Sequence, residues 1–287
     1  MPELPEVETV RLQLLHKILN KPIEKIKVFN QKMVNNNVNF SKTLKNKSFI
    51  NIDRIGKLLI FHFTNQDNLF LLTHLKMTGQ FFYVDKKEII GGGHSSKADE
   101  SKNLPNKHTR IAFYFTDETS LFFNDMRMFG YMKIANANEV EIAKAKFGQE
   151  PISDDFDFQK FFEKIKRKNT PIKATLLDQT LVAGLGNIYV DEALFLAGVL
   201  PTRKTHGLSL KEIRAVIKAG GKVMNKSITY GGTTFQHFLD TGGSTGNYTD
   251  FLKVFGKQNT PCPKCQTLIQ KTRVAGRGTH FCPNCQK

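Results

Sequence analysis

No run of eighteen apolar residues occurs anywhere in the 287-residue chain, which excludes a transmembrane helix, since a helix needs about twenty such residues to cross the hydrocarbon core. The opening Met1-Pro2-Glu3-Leu4-Pro5-Glu6 has neither the basic start nor the apolar stretch of a secretory signal. A cytoplasmic location is therefore expected. Cysteine is missing until residue 262, so thiol chemistry is confined to one end. Acidic residues run out after Asp250, whereas Lys253, Lys257, Lys264, Lys271, Arg273, Arg277 and Lys287 follow it.

What is present narrows the classes further. A hydrophobic content of 40% supplies real cores and excludes an intrinsically disordered chain. The length suits about two domains as a prior. The formal charge of +16 concentrates counter-anions, and nucleic acid is the commonest macromolecular partner of such a surface. A soluble basic protein could carry the same charge, but a tail of one sign suits a phosphate-facing surface.

The four cysteines form two C-x-x-C pairs, Cys262/Cys265 and Cys282/Cys285, sixteen residues apart. Each pair lets two thiolates reach one ion from a tight turn, and two such turns complete a closed tetrahedral zinc site. Two disulfides are the alternative, which a reducing cytosol opposes. Four protein ligands leave no open position, so the metal is expected to be structural and to supply folding energy to a module with little core. Between the pairs, Thr267-Leu268-Ile269 and Gly278-Thr279-His280-Phe281 read as short strands, with Arg273 and Arg277 at the hairpin tip.

Along the rest of the chain, Val7, Val10, Leu14 and Ile18 place a helix over 5–19, with Pro5 in its first turn. From Phe49 to Lys133 the pattern becomes strands, including the dense run Leu58–Phe63 and segments near 69–75, 79–84, 110–116, 120–124 and 130–134. An antiparallel sandwich or barrel carrying the first helix follows. The polar stretch 86–107 contains Gly91-Gly92-Gly93 but not the Lys-Ser/Thr and helix of a phosphate loop, and reads as a flexible surface insertion. From Ser153 onward helices are expected at Phe156–Lys168, after Pro171, at Asn187–Leu196 and at Ser209–Ser227. The glycines of Val182-Ala183-Gly184-Leu185-Gly186-Asn187 expose backbone N–H groups, and Asn187 can cap the following helix. Such a turn can cradle a phosphate or be an ordinary interhelical turn. Proline after an initiator methionine suits methionine removal, which would free a secondary amine at Pro2, beside the carboxylates of Glu3 and Glu6. An amine of this kind can attack a sugar carbon and form an iminium; the same residues also make an ordinary helix start.

Pro2-Glu3-Leu4-Pro5-Glu6-Val7-Glu8-Thr9-Val10 resembles the start of the formamidopyrimidine-DNA glycosylase family. The resemblance continues through His74-Leu75-Lys76-Met77-Thr78-Gly79, Asp125-Met126-Arg127-Met128-Phe129-Gly130, Gly184-Leu185-Gly186-Asn187-Ile188-Tyr189, Gly231-Gly232-Thr233-Thr234 and the four cysteines, so it covers the whole chain. It implies an α+β multidomain protein: an N-terminal antiparallel β-sandwich with a flanking helix over 2–135, a helix–two-turn–helix DNA-binding domain over 150–250, and a zinc-binding β-hairpin over 253–287. It also implies a monomer that acts on duplex DNA containing oxidised purines or abasic sites, first as a glycosylase and then as an abasic-site lyase, with one structural Zn2+.

Residue by residue, the resemblance makes Pro2 the nucleophile, Glu3 the acid–base group, Glu6 a supporting carboxylate and Lys57 a helper at the lesion and in β-elimination. Arg277 assists the second elimination. Because a damaged base must leave the stack, Met77, Arg127 and Phe129 match the trio that fills the gap. His108 and Asn187 match DNA-backbone contacts, and the segment Ser227–Tyr248 matches the loop that closes on the extruded base. The chain departs from the family pattern at Met126 and Met128, where proline and arginine are common, at Asn169, where a basic residue is common, and in the longer 86–107 insertion. Endonuclease VIII, a sister group, has a glycine where Leu4 stands here, which favours the purine enzyme. A non-catalytic zinc DNA-binding protein is the other alternative, and intact Pro2, Glu3 and Lys57 oppose it.

Overall fold

The computed structural model describes residues 2–64, 66–85, 89–92, 103–233 and 248–287. They form two compact units, Met1–Ala145 with Tyr230–Asn247, and Lys146–Thr229 with Tyr248–Lys287.

In the first unit, helix α1 runs over Leu4–Ile18, and Val7, Val10, Leu14 and Ile18 enter the core as the spacing predicts. Then come β1 (Ile23–Val28), α2 (Phe40–Leu44), β2 (Phe49–Ile55), β3 (Leu58–Phe63), β4 (Gln66–His74), β5 (Gly79–Val84), β6 (Ile89–Gly92), β7 (Thr109–Phe115), β8 (Ser120–Asp125), β9 (Tyr131–Ala135) and α3 (Ala137–Lys144). One sheet has the order β2-β3-β4-β9 and the other β1-β7-β8-β5-β6. Their ladders are antiparallel. Phenylalanines join the two: the Phe49 ring lies 5.2 Å from Phe61 in its own sheet and 6.0 Å from Phe113 in the other, and Phe61 lies 6.1 Å from Phe81. Tilted aromatic pairs of this kind add about 1 kcal/mol each beyond burial. The expected sandwich with its flanking helix is thus present.

Two of its strands were not legible in the pattern. In β1 the ladder with β7 is irregular between Ile23 and Lys25, which breaks the period-two alternation that marks a strand. Within the 86–107 insertion, Ile89–Gly92 extends the second sheet by pairing with β5. Gly91 and Gly92 are therefore strand residues. The rest of the expected surface insertion, apart from 103–107, lies outside the described residues.

The second unit contains α4 (Phe158–Ile165), α5 (Ile172–Leu177), α6 (Asn187–Ala197), α7 (Leu210–Thr229) and the hairpin β10 (Gln270–Val274)–β11 (Arg277–Phe281). Helix α4 begins two residues later than expected. Its cap is Asp157, whose side chain accepts from the Lys160 N–H at 2.9 Å, while Phe156 is committed to a ring contact with Phe161 at 5.6 Å. It ends at Ile165 rather than Lys168. The first hairpin strand is displaced from 267–269 to 270–274 because Thr267 O accepts from Cys262 N and Ile269 O from Asn259 N, which ties 267–269 into the knuckle. Gly221 of α7 allows close packing: a Cβ there would stand 2.4 Å from Pro151 O. Among the described residues no helix is long and apolar enough to cross a membrane.

At the centre of this unit Lys173 Nζ meets Asp191 Oδ1 at 2.6 Å, with both side chains fully buried. The ammonium also donates to Gly278 O at 3.0 Å, and Asp191 Oδ2 accepts from His280 N at 2.9 Å. Helices α5 and α6 and strand β11 thus share one ion pair. Removing one partner strands a buried charge. Lys173→Met is expected to lower the unfolding free energy by about 3–5 kcal/mol, read from urea unfolding of zinc-loaded protein.

Candidate active site and nucleic-acid interface

The head of α1 is buried. Pro2 is enclosed, and Glu3 and Glu6 are 3% and 1% exposed. Buried carboxylates persist only when their lone pairs are occupied, and Glu6 meets that demand. Its Oε2 accepts from the Glu3 N–H at 2.8 Å, and its Oε1 accepts from both the Thr233 N–H and hydroxyl at 2.9 Å. One side chain therefore fixes the residue after Pro2 and the start of the 227–248 segment. Residues 234–247 of that segment, the expected closing loop, lie outside the described residues.

Next along α1, Glu8 accepts from Arg11 and, at 2.8 Å, from Arg54 Nε of β2. Arg54 Nη1 in turn donates to Gly56 O at 2.9 Å. Gly56 has φ +55°, a left-handed turn that glycine adopts without steric cost. It delivers Lys57, 5% exposed, to the head of β3. Beyond it, Leu58 pairs with His74 across the β3–β4 ladder. His74 Nδ1 accepts from the Lys76 N–H at 2.9 Å. Burial, reinforced by the charges of Lys76 and Lys57, depresses the His74 pKa to about 3. The imidazole is neutral at physiological pH.

A second carboxylate organises the adjoining loops. Asp125 is fully buried. Its Oδ1 accepts from the Thr78 hydroxyl and from the Arg127 N–H at 3.1 Å, and its Oδ2 accepts from the Gly130 N–H at 2.7 Å. Its backbone takes the Arg110 Nε–H at its carbonyl and gives its own N–H to His108 O. The loops after β4, before β7 and after β8 thereby meet, bringing Met77, His108, Arg127 and Phe129 to one place. Arg127 Nη1 donates to Met77 Sδ at 3.0 Å, and its guanidinium stands 4.7 Å over the Phe129 ring. Phe129, Met126 and Met128 are 52%, 56% and 49% exposed, although apolar side chains gain by burial. Lys76 and Met128 both adopt positive φ, +52° and +57°. Each costs about 1–2 kcal/mol for a non-glycine residue, and such strain gathers at functional sites.

In the second unit, Asn187 does not cap α6. Gly186 is the cap and Asn187 the first helical residue. Its Nδ2 donates instead to Gly278 O at 3.0 Å, next to Arg277, which opens β11 as an exposed side chain. Glu192, one residue past Asp191, accepts from the N–H groups of Lys253, Val254 and Phe255 at 2.9–3.1 Å. Burial nevertheless pushes its pKa up.

The sulfurs of Cys262, Cys265, Cys282 and Cys285 lie within 4.8 Å of one another. Separations of 3.9 Å for Cys262–Cys285 and 3.5 Å for Cys265–Cys282 are far beyond a disulfide bond. They match the edge of about 3.8 Å of a tetrahedron with Zn–S near 2.3 Å. As bare thiols Cys265 and Cys285 conflict: hydrogen bonds from the Thr267 and Asn284 side chains hold Cys265 down to about 5, while hydrogen bonding with Cys265 and burial push Cys285 up to about 12. One divalent cation resolves this by holding all four as thiolates. The residues fit a single structural zinc.

Comparison with known families matches three successive stretches of the chain. The formamidopyrimidine-DNA glycosylase N-terminal domain matches residues 1–132, the formamidopyrimidine-DNA glycosylase H2TH domain 147–238, and the zinc finger found in FPG and IleRS 260–287. The chain belongs to the formamidopyrimidine-DNA glycosylase family. It is 39% identical to the formamidopyrimidine-DNA glycosylase of Mycoplasma mobile, over 100% of this chain and 99% of that one, and 39% identical to that of Listeria monocytogenes, over 100% of both. Its structure is similar to Lactococcus lactis Fpg in complex with abasic-site DNA, with TM-score 0.86 and 36% identity over 100% of each chain. It is also similar to MutM in complex with DNA containing carbocyclic 8-oxo-G, with TM-score 0.84 and 35% identity over 100% of each chain. Membership of the formamidopyrimidine-DNA glycosylase family makes the chain a DNA-repair glycosylase.

For a formamidopyrimidine-DNA glycosylase, several supporting groups escaped the sequence reading: Asp125, Thr78, Glu8, Arg54, Thr233, Lys173 and Asp191. The available signal was a charged residue embedded in an apolar or glycine-bearing block, as Asp125 is between Phe122-Phe123 and Gly130, but burial of its carboxylate depends on loops far away in sequence.

Two outcomes follow for this glycosylase. His74 is neutral when folded and protonates near its ordinary 6.5 when unfolded. Its share of stability is complete above about pH 6.5 and falls as the pH drops towards about 3, by up to about 1.4 kcal/mol per pH unit. Urea unfolding from about pH 7 to about pH 5 should show that slope, and His74→Gln should flatten it. Chelating the zinc at neutral pH should abolish amide-exchange protection in β10–β11 while leaving that of β2–β4 intact.

Proposed function

We propose that this glycosylase removes oxidised purines, 8-oxoguanine and formamidopyrimidines, from duplex DNA through an iminium on Pro2, and then cleaves the abasic site by β,δ-elimination. The observation that carries the proposal is the enclosed head of α1. Pro2 is buried beside Glu3, and Glu6 fixes the Glu3 amide with one oxygen and Thr233 with the other. A buried, held amine loses little orientation freedom on attack.

With the initiator methionine removed, the Pro2 nitrogen attacks C1′ and the base leaves. The amine surrenders its proton, the C1′–O4′ bond breaks as O4′ takes up a proton, and an iminium joins the enzyme to the ring-opened sugar. Glu3 moves protons at the sugar. Loss of a C2′ proton then breaks the C3′–O bond, and Lys57 assists this β-elimination. A second elimination, aided by Arg277, releases the 5′ phosphate, and water finally hydrolyses the iminium. Burial and the charges of Lys76 and Lys57 keep His74 neutral, so its imidazole adds no cation of its own there.

Met77, Arg127 and Phe129 fill the gap left by the extruded base. The apolar side chains enter the stack, and the guanidinium bonds to the orphaned partner. His108 and Asn187 hold phosphates. Residues 2–135 are the catalytic segment, 150–250 the helix–two-turn–helix DNA-binding segment and 253–287 the zinc module of a monomer acting in the cytoplasm.

Borohydride reduction during turnover should fix the protein covalently to DNA containing 8-oxoguanine. Pro2→Gly should lose both this adduct and base excision while duplex affinity stays near that of the parent. A covalent adduct in the variant equal to the parent's would overturn the assignment of Pro2.

A further inference from the structure

The described methionines divide into two groups. Met33, Met132 and Met224 are 2%, 0% and 0% exposed, inside the cores. Met126 and Met128 are half exposed, and Met77 is partly exposed on the facing loop. Two of the accessible sulfurs carry hydrogen bonds: Arg127 Nη1 donates to Met77 Sδ at 3.0 Å, and Asn30 Nδ2 donates to Met128 Sδ at 3.2 Å. Thioether sulfur is a weak acceptor and a ready two-electron reductant, and its susceptibility follows exposure.

We propose that Met77, Met126 and Met128 form an oxidant-sensitive modification site, at which hydrogen peroxide and related peroxides convert the thioethers to sulfoxides and thereby disable the inserting loops. In each step the peroxide O–O bond breaks, one oxygen bonds to sulfur, and the other leaves as water, or as an alcohol where the oxidant is an organic peroxide. Sulfur is oxidised by two electrons and the peroxide is reduced by two.

Two consequences follow at the site. A sulfoxide is strongly polar, so a modified Met77 must be desolvated without compensating hydrogen bonds on entering a base stack. The sulfoxide oxygen is also a far better acceptor than the thioether, so Arg127, 3.0 Å away, is held to Met77 rather than released to a base. The inference rests on the inserting role assigned above to Met77 and Arg127. The conditions that oxidise purines would also act on the protein, and the buried methionines of both units are shielded from them.

The test treats zinc-loaded protein with graded hydrogen peroxide. Peptide mass mapping locates added oxygen, and affinity is measured for a duplex carrying a stable abasic-site analogue. Sulfoxide should appear at Met77, Met126 and Met128 before Met33, Met132 or Met224. Affinity should fall by at least about tenfold, and methionine sulfoxide reductase should restore it. Zinc content, read with a chromogenic chelator, should stay constant through the loss. Equal oxidation of the buried methionines, or an affinity indifferent to sulfoxide at the three positions, would overturn the proposal. So would a loss that tracks zinc release and resists the reductase. Borohydride capture by untreated protein separates the cases: protein that forms the adduct but ignores sulfoxide formation fails this proposal alone.

Discussion

The buried carboxylate of Asp125 is the constraint on which the first unit's loops depend. A charge at that depth is tolerable only if donors surround it, and here they come from two separate loops, the Thr78 hydroxyl from one and the Arg127 and Gly130 amides from the other, while the backbone carbonyl of the same residue takes Arg110 of β7. The sheets hold the strand ends, but the carboxylate sets how the loops beyond them meet. It allows Met77, Arg127 and Phe129 to stand together with so much apolar surface in water. It also offsets the left-handed conformations at Lys76 and Met128, which isolated loops would not retain.

The second unit uses one helix in a comparable way. Asn187, Asp191 and Glu192 come from the first turns of α6. They reach Gly278 O, His280 N and the amides of 253–255 respectively. The zinc hairpin therefore takes its bearing from the helix as well as from its metal. Lys173 closes the arrangement from α5 and donates to the same Gly278 carbonyl as Asn187. A hairpin of this size buries little on its own, and charged groups held out of water supply the positional definition that a larger core would give.

Elements with clean periodicity were legible in the sequence. The stripe Val7, Val10, Leu14, Ile18 gave α1, the dense run Leu58–Phe63 gave β3, and the paired C-x-x-C spacing gave the zinc site. Strand β1 escaped because its irregular ladder breaks alternation, and Ile89–Gly92 escaped because it sits in polar surroundings. Asn187 looked like a helix cap on its residue type. Its side chain serves the hairpin instead, because a glycine supplies the cap geometry. For the candidate site, Pro2, Glu3 and Lys57 were picked out through resemblance, since their residue types alone also fit a helix start and a strand lysine. Asp125 stood in a family-like block without a role of its own, and Lys173 was not picked out. Charged residues normally seek water, and nothing local in sequence announces the partners Thr78 and Gly278 that these two take from dozens of positions away.

The two oxygens of Glu6 are bonded to residues 3 and 233, separated by almost the full chain. On a ribosome the first unit's sheets can be complete long before Thr233 emerges. Until then the two Thr233 donors to its Oε1 do not exist. Assembly of the enclosed terminus is thereby deferred to a late phase of translation, and a truncated nascent polypeptide holds a folded scaffold with the head of α1 unfinished.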